Sequence, residues 1–326
     1  MTVLLELRNF TIELPTAEGW VRPVNDVSLT LEHGNALGLV GESGCGKTIL
    51  SLGLMGLEPH GARRGGQAWL ELSRNGVSAR TNLAAMDAEA MRKIRGKELA
   101  MIFQEPMTAL DPVQRVGAQI EEAIRAHEPQ LSGEEVRRRA LESLKIAAVP
   151  EPQKRARQFP HQLSGGLRQR VLIGMALAMH PRVLIADEPT TALDVTVQKQ
   201  IIELLSRLRQ ELQLTILFIT HDLGVVAQIA DRVAVMYAGR IVEVGPTREV
   251  LSNPRHPYTA GLLRAVPRLE AKGILPIAGA VPRLNELPPG CAFAPRCEFH
   301  RTECDAGVPD LREASPGHCA RCILVS

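Results

Sequence analysis

Residues Gly41–Thr48 read GESGCGKT, between an aliphatic run, ALGLV, and a helical one, ILSLGLMGL. The pattern is G-x-x-x-x-G-K-T in a strand–loop–helix setting. Glycines let the chain wrap tightly enough to aim its N–H groups at phosphate oxygens, with a helix N-terminus behind them. Gly41, Glu42, Ser43, Gly44, Cys45 and Gly46 would form that cradle. Lys47 would reach the β- and γ-phosphates of a nucleotide, and the Thr48 hydroxyl would ligate Mg²⁺. Cys45 fills a variable position and needs no chemical role. Farther on, RVLIADEP closes a strand pattern with Asp187 and Glu188. Carboxylates there are costly unless they meet a cation or sit at an exposed strand end. Asp187 fits the acid that holds Mg²⁺, and Glu188 can polarise an attacking water. Alone, such a pair is weak; behind a phosphate-binding loop, it reads as phosphoryl chemistry.

These residues need a rigid frame, and the sequence supplies one. Short aliphatic runs recur at 36–40, 98–103, 182–187, 215–220 and 232–239, with little alternation, as strands buried on both faces require. Helical patterns lie between them. EEVRRRALESLKIA starts with a capping-box pair, Ser132 and Glu135. VQKQIIELLSRLRQEL puts Ile201, Leu204, Leu205 and Leu208 on one face. The alternation predicts an α/β sheet core. Residues 106–165 hold helices and no convincing strand, which predicts an inserted helical subdomain. After about residue 250 prolines multiply, starting with Pro254, Pro257 and Pro267. That change predicts one domain over 1–250 and, over 251–326, an extension with a short helix at Tyr258–Val266 and then a loop-rich tail.

Composition narrows the function classes. The chain has 326 residues, 45% hydrophobic and only 3% aromatic, with 38 basic and 36 acidic side chains. A net charge of +2 with so few stacking rings gives no footprint for nucleic acid. The longest apolar run, VLIGMALAMH, is roughly half of the ~20 residues a membrane-spanning helix needs. The N-terminus carries Glu6 and Glu13 and does not resemble a signal peptide. A soluble, unexported chain keeps its cysteines in a reducing compartment.

Further stretches resemble one family. QLSGGLRQRV resembles the signature motif of ATP-binding cassette (ABC) proteins, IFQEP the Q-loop with Gln104, TALD the D-loop with Asp194, and ITHDL the switch histidine as His221. Their order implies an ABC nucleotide-binding domain of the P-loop NTPase type, with a RecA-like sheet core. In that family Gln104 joins the Mg²⁺ site to the surface facing the membrane subunits. His221 contacts the γ-phosphate, and Ser164, Gly165 and Gly166, with Asp194, serve the ATP held by the opposite subunit. Ser164 also has the chemistry of an ordinary helix N-cap. Leu167 replaces the commoner glutamine of the signature. The family stacks adenine on an aromatic ring ahead of the loop. Trp20, on a loop expected between FTIEL and VNDVSLTL, is the nearby candidate, and packing against the first sheet is the equal alternative.

MIFQEPMTALDPV, NPRHPYTAGLLRAVP and the cysteine tail resemble the ATPase subunits of bacterial dipeptide and oligopeptide importers. The resemblance implies a second ATPase subunit in a heterodimer, two membrane permease subunits and an extracytoplasmic binding protein. It places the chain peripherally on the cytoplasmic face of the inner membrane. Nickel and glutathione importers share the family. A soluble non-transport ABC ATPase would need a coiled-coil insertion or a second cassette, which this sequence lacks, and a metal- or redox-sensing module would not place its cysteines behind a complete cassette.

Five of the six cysteines stand in that tail, spaced C-x5-C-x6-C-x14-C-x2-C over Cys291, Cys297, Cys304, Cys319 and Cys322. So polar a segment needs a staple, and in a reducing compartment that leaves a metal centre or idle thiols. The residues alone leave Cys₄ zinc and an iron–sulfur cluster open. The resemblance implies four ligands, the last four residues after a PGH-like step. Applied to Pro316, Gly317 and His318, it selects a [4Fe–4S] cluster on Cys291, Cys297, Cys304 and Cys322, with Cys319 spare and zinc as the alternative.

Overall fold

Along the chain the strands are β1 (Val3–Thr16), β2 (Gly19–Glu32), β3 (Ala36–Val40), β4 (Arg63–Arg74), β5 (Val77–Asn82), β6 (Leu99–Ile102), β7 (Val183–Asp187), β8 (Thr215–Thr220), β9 (Arg232–Tyr237), β10 (Arg240–Pro246), β11 (Arg312–Ser315) and β12 (His318–Ala320). The five aliphatic runs are β3, β6, β7, β8 and β9. Every residue of β3, β6, β7 and β8 is buried, which explains their missing alternation. The computed structural model describes residues 2–74, 77–104, 109–191, 193–266 and 277–325. Glu105 and Pro106 of the Q-loop motif, Ala192 of TALD and Pro267 lie outside the described residues.

The backbone divides into two units. One holds 1–32, 36–85 and 218–326, and the other holds 33–35 and 86–217. This division follows packing and runs across the expected boundary near 250. In the first unit a four-stranded antiparallel sheet has the order β2-β1-β4-β5. A second set runs β11-β12-β10-β9-β3, with β3 and β9 parallel and the rest antiparallel. The second unit holds parallel β6 and β7 and the helices Val116–His127, Gly133–Ile146, Pro152–Arg155 and Gly165–Leu177. No strand occurs among the described residues of the region expected to be helical. Only half of the expected capping box forms. The Ser132 hydroxyl accepts the Glu135 N–H at 3.2 Å, but the Glu135 carboxylate turns to Arg138 and Arg139.

The tail is less loop-like than its sequence suggests. Its helix spans Pro257–Ala265, and β11 and β12 form a hairpin that extends the cassette sheet through Glu243↔Ala320 and Val244↔Cys319. Its buried aromatics join the core of the first unit. Tyr258 and Phe293 are buried with Val40, Val233, Val235 and Tyr237. The rings of Tyr237 and Tyr258 stand 4.6 Å apart, and each lies 5.3 Å from Phe293. Such pairs add about 0.5–1.5 kcal/mol each beyond burial. The chain has only two tyrosines, and both are spent here. A buried pair secures the hairpin: His318 Nε2 lies 2.7 Å from Glu243 Oε1, and the Glu243 carboxylate also accepts the N–H groups of Arg255 and His256.

Candidate nucleotide site and cysteine cavity

The phosphate-binding loop follows β3 and ends at the helix Lys47–Met55, with Gly46 as N-cap at φ 109°. A side chain at Gly46 would start 1.9 Å from the Pro23 carbonyl oxygen, so the close approach of β2 admits only glycine. Ser43, Gly44 and Thr48 are exposed, as ligand-facing residues must be, while Cys45 is fully buried. Burial pushes the Cys45 thiol up, leaving it a packing group. Lys47 is 5% exposed, and its Nζ donates to the carbonyls of Gly41 at 2.7 Å and Glu42 at 3.0 Å. The ammonium is thus held inside the loop, where an incoming phosphate can exchange for carbonyl partners. His221 stands exposed just past β8, in the same unit, and Asp222 after it caps the helix Leu223–Ile229.

The second unit gathers the carboxylates. Asp187 ends β7 and is 1% exposed. Glu188 follows with a left-handed φ of 45°, a conformation that costs a non-glycine residue free energy and tends to mark functional sites. Its Oε2 accepts from Gln104 Nε2 at 3.3 Å and from the Thr191 hydroxyl at 2.8 Å. The structure therefore brings together two of the sequence-predicted site residues and adds Thr191, the first residue of TALD, to which the sequence reading assigns no role. Ser164 N-caps the helix Gly165–Leu177 through the Leu167 N–H at 3.4 Å. Asp194 caps Val195–Leu212 through the Val197 N–H at 2.9 Å. A Cβ on Gly166 would meet the Val197 side chain at 2.7 Å, so the signature glycine and the D-loop helix pack together. Ser164, Gly165 and Asp194 are exposed.

Trp20 differs from its expected setting. It lies on β2 at a hairpin tip, paired with Pro15, and not on a loop. It is 45% exposed, with the Arg63 guanidinium 3.9 Å from its ring centroid. One face is thus occupied by a cation–π contact.

Comparison with known proteins agrees with this arrangement. The ABC transporter family profile matches residues 24–191, and the profile for the oligopeptide/dipeptide transporter C-terminal region matches 242–304. A Brucella melitensis protein named for ATP binding in peptide import is 48% identical over 98% of this chain and 96% of its own length. The chain belongs to the ABC transporter ATPase family. The dipeptide transport ATP-binding protein DppD of Bacillus subtilis is 44% identical over 99% of this chain and 95% of its own. Among solved structures, the dimeric ATP-binding cassette MJ0796 bound to ADP and Pi has a TM-score of 0.64 at 29% identity, over 75% of this chain and 99% of that one. The cassette cbiO1 of Clostridium perfringens, part of the transporter complex cbiONQ, has a TM-score of 0.61 at 25% identity, over 78% and 92%.

Behind the cassette, one small cavity is lined by Cys291, Cys297, Cys304 and Cys322 together with His256 and Phe293. Cys319 is not on it; it pairs with Val244 in the sheet. All six cysteines are free thiols. Burial pushes the thiols of Cys291, Cys297 and Cys322 up, and neighbouring cysteines of the set push the same way. Among the described residues no group of three or more His, Cys, Asp or Glu side chains is arranged to hold a metal ion. No helix among them is long and apolar enough to cross a membrane.

Proposed function

We propose that this chain is the ATP-hydrolysing subunit of an ABC importer for dipeptides or oligopeptides. The observation that carries the reading is the pairing of a cassette with the oligopeptide/dipeptide C-terminal region in one chain. Lys47 exchanges its two carbonyl partners for β- and γ-phosphate oxygens, and the loop N–H groups supply the rest of the cradle. Thr48, Gln104 and Asp187 offer the hard oxygen donors that Mg²⁺ prefers. When bound, Mg²⁺ neutralises charge on the transferred phosphoryl group. Glu188 accepts a proton from the attacking water, its carboxylate aimed by Gln104 and Thr191. His221 contacts the γ-phosphate, and the exposed Ser164, Gly165 and Asp194, with the half-buried Gly166, serve the nucleotide of a second ATPase subunit. The aromatic for adenine is Trp20, one of whose two faces Arg63 covers.

The partners in this reading are that second ATPase, two permease subunits that form the membrane path, and a binding protein that selects the cargo. The chain works peripherally, on the cytoplasmic face of the inner membrane. Its cassette covers 1–250, and the extension covers 251–326. The four cysteines on one cavity would hold a [4Fe–4S] cluster that orders the tail. Their chemistry fits: thiols raised by burial become good ligands once a cation takes the proton's place. A zinc ion bound by the same four sulfurs is the alternative.

Affinity purification from detergent-solubilised membranes tests the motor reading. Two hydrophobic permease subunits and a second cassette protein should co-purify. Recovery of ribosomes or nucleic acid in their place would refute it.

A further inference from the structure

Glu42, second in the phosphate-binding loop, is held from three sides. Its N–H donates to the Tyr258 hydroxyl at 2.9 Å, and its carbonyl accepts from Lys47 Nζ at 3.0 Å. Its carboxylate takes both arms of Arg296, Nη1 to Oε2 at 2.7 Å and Nη2 to Oε1 at 3.0 Å. Two of these restraints come from the extension, 216 and 254 residues later in the chain. The Arg296 side chain is 4% exposed, so this two-armed pair is shielded from water far more than a surface ion pair. Arg296 is itself fixed, with Nε donating to the Ala278 carbonyl at 2.9 Å and the guanidinium 5.9 Å from the ring centroids of Tyr237 and Phe293.

Both restraining residues adjoin the cysteine cavity. Arg296 directly precedes Cys297, and Tyr258 follows His256 by two residues; Cys297 and His256 both line that cavity. His256 Nδ1 accepts the Tyr258 N–H at 3.1 Å, which leaves Nε2 as the protonated nitrogen of a neutral ring. That Nε2 is buried without a hydrogen-bond partner. A donor in the cavity wall and a ligand-bearing turn thus each lead, within two residues, to a group that grips Glu42.

We infer that Arg296 and Tyr258 are positioning residues for ATP: through Glu42 they fix the path of the phosphate-binding loop and tie nucleotide affinity to the state of the four-cysteine cavity. The tie to the cavity rests on the metal-centre reading above; the positioning role does not. A loop released at Glu42 spends part of its time in conformers that cannot cradle phosphate, and apparent affinity falls by the fraction lost. The effect is reciprocal, so bound ATP must in turn steady the tail.

Equilibrium binding of MgATP to the full chain, read by competition with a fluorescent ATP analogue, tests this. Arg296→Ala and Tyr258→Phe should each weaken binding at least about fivefold, the lower end of usual coupling between sites. Arg296→Lys should recover only part, because an ammonium cannot make the two-armed contact. Glu42→Ala touches none of the tail's backbone contacts. In that background Arg296→Ala should cause no further loss, and additive losses would mean that Arg296 acts by ordering the tail alone. Cys322→Ala should weaken ATP binding in the wild-type background, and by less in Glu42→Ala, where only the Tyr258 bond to the backbone N–H of residue 42 remains; unchanged affinity in both would overturn the tie to the cavity. Wild type and Arg296→Ala binding ATP equally would overturn the positioning role alone, whereas a wild type that binds no ATP would refute the motor reading as well.

Discussion

Glu188→Gln is expected to bind MgATP like the wild type and to hydrolyse it at least ~10²-fold more slowly, the scale of losing a positioned general base. The amide is isosteric, and its oxygen can still accept from the Thr191 hydroxyl, which stands 2.8 Å from Glu188 Oε2. What it lacks is a charge able to take the proton of water. The phosphate cradle and Lys47 are untouched, so nucleotide should accumulate and hold the two cassettes together. Lys47→Ala should give the opposite pattern, with binding itself weakened, since this buried ammonium is the cation within the loop. Turnover and ATP affinity measured side by side separate the two. Wild-type turnover in Glu188→Gln would remove Glu188 from the role of base.

Cys322 and Cys319 should part company just as sharply. They are two residues apart, yet Cys322 lies on the cavity with Cys291, Cys297 and Cys304, while Cys319 belongs to the sheet. Anaerobically purified wild type should contain iron and sulfide. Cys322→Ala should lose both, and its tail should become more open to protease, because the buried cavity then keeps three thiols and no centre. Cys319→Ala should keep the centre. Stoichiometric zinc without iron or sulfide in the wild type would overturn the cluster, and loss of the centre in Cys319→Ala would overturn the ligand set.

What is local in this chain is legible in its sequence. The five core strands were visible because they are short, aliphatic and buried on both faces. The phosphate-binding loop was visible because its glycines and lysine act within eight residues of one another. Ser132 and Ser164 are legible as helix starts because a cap acts on an N–H three residues away. What escaped depends on residues far apart in the chain. The β11–β12 hairpin is short and polar, and it forms against β10 with the buried His318–Glu243 pair to fix it. Tyr258 and Phe293 look like isolated aromatics in a proline-rich tail until they complete the core around Tyr237. The hold of Arg296 on Glu42 has no local signal at all. Trp20 reads as a loop residue because nothing local marks the tight turn before it as a hairpin that carries β1 into β2.

That ATP hydrolysis in this chain drives peptide import is tested most directly by transport itself. The chain would be reconstituted in proteoliposomes with its second ATPase and two permease subunits, and the binding protein and a labelled dipeptide supplied on the opposite face. ATP on the cassette side should produce accumulation of the dipeptide against its gradient, lost on omission of the binding protein and with Glu188→Gln. Hydrolysis without dipeptide or oligopeptide accumulation, in a complex that concentrates nickel or glutathione under the same conditions, would contradict it.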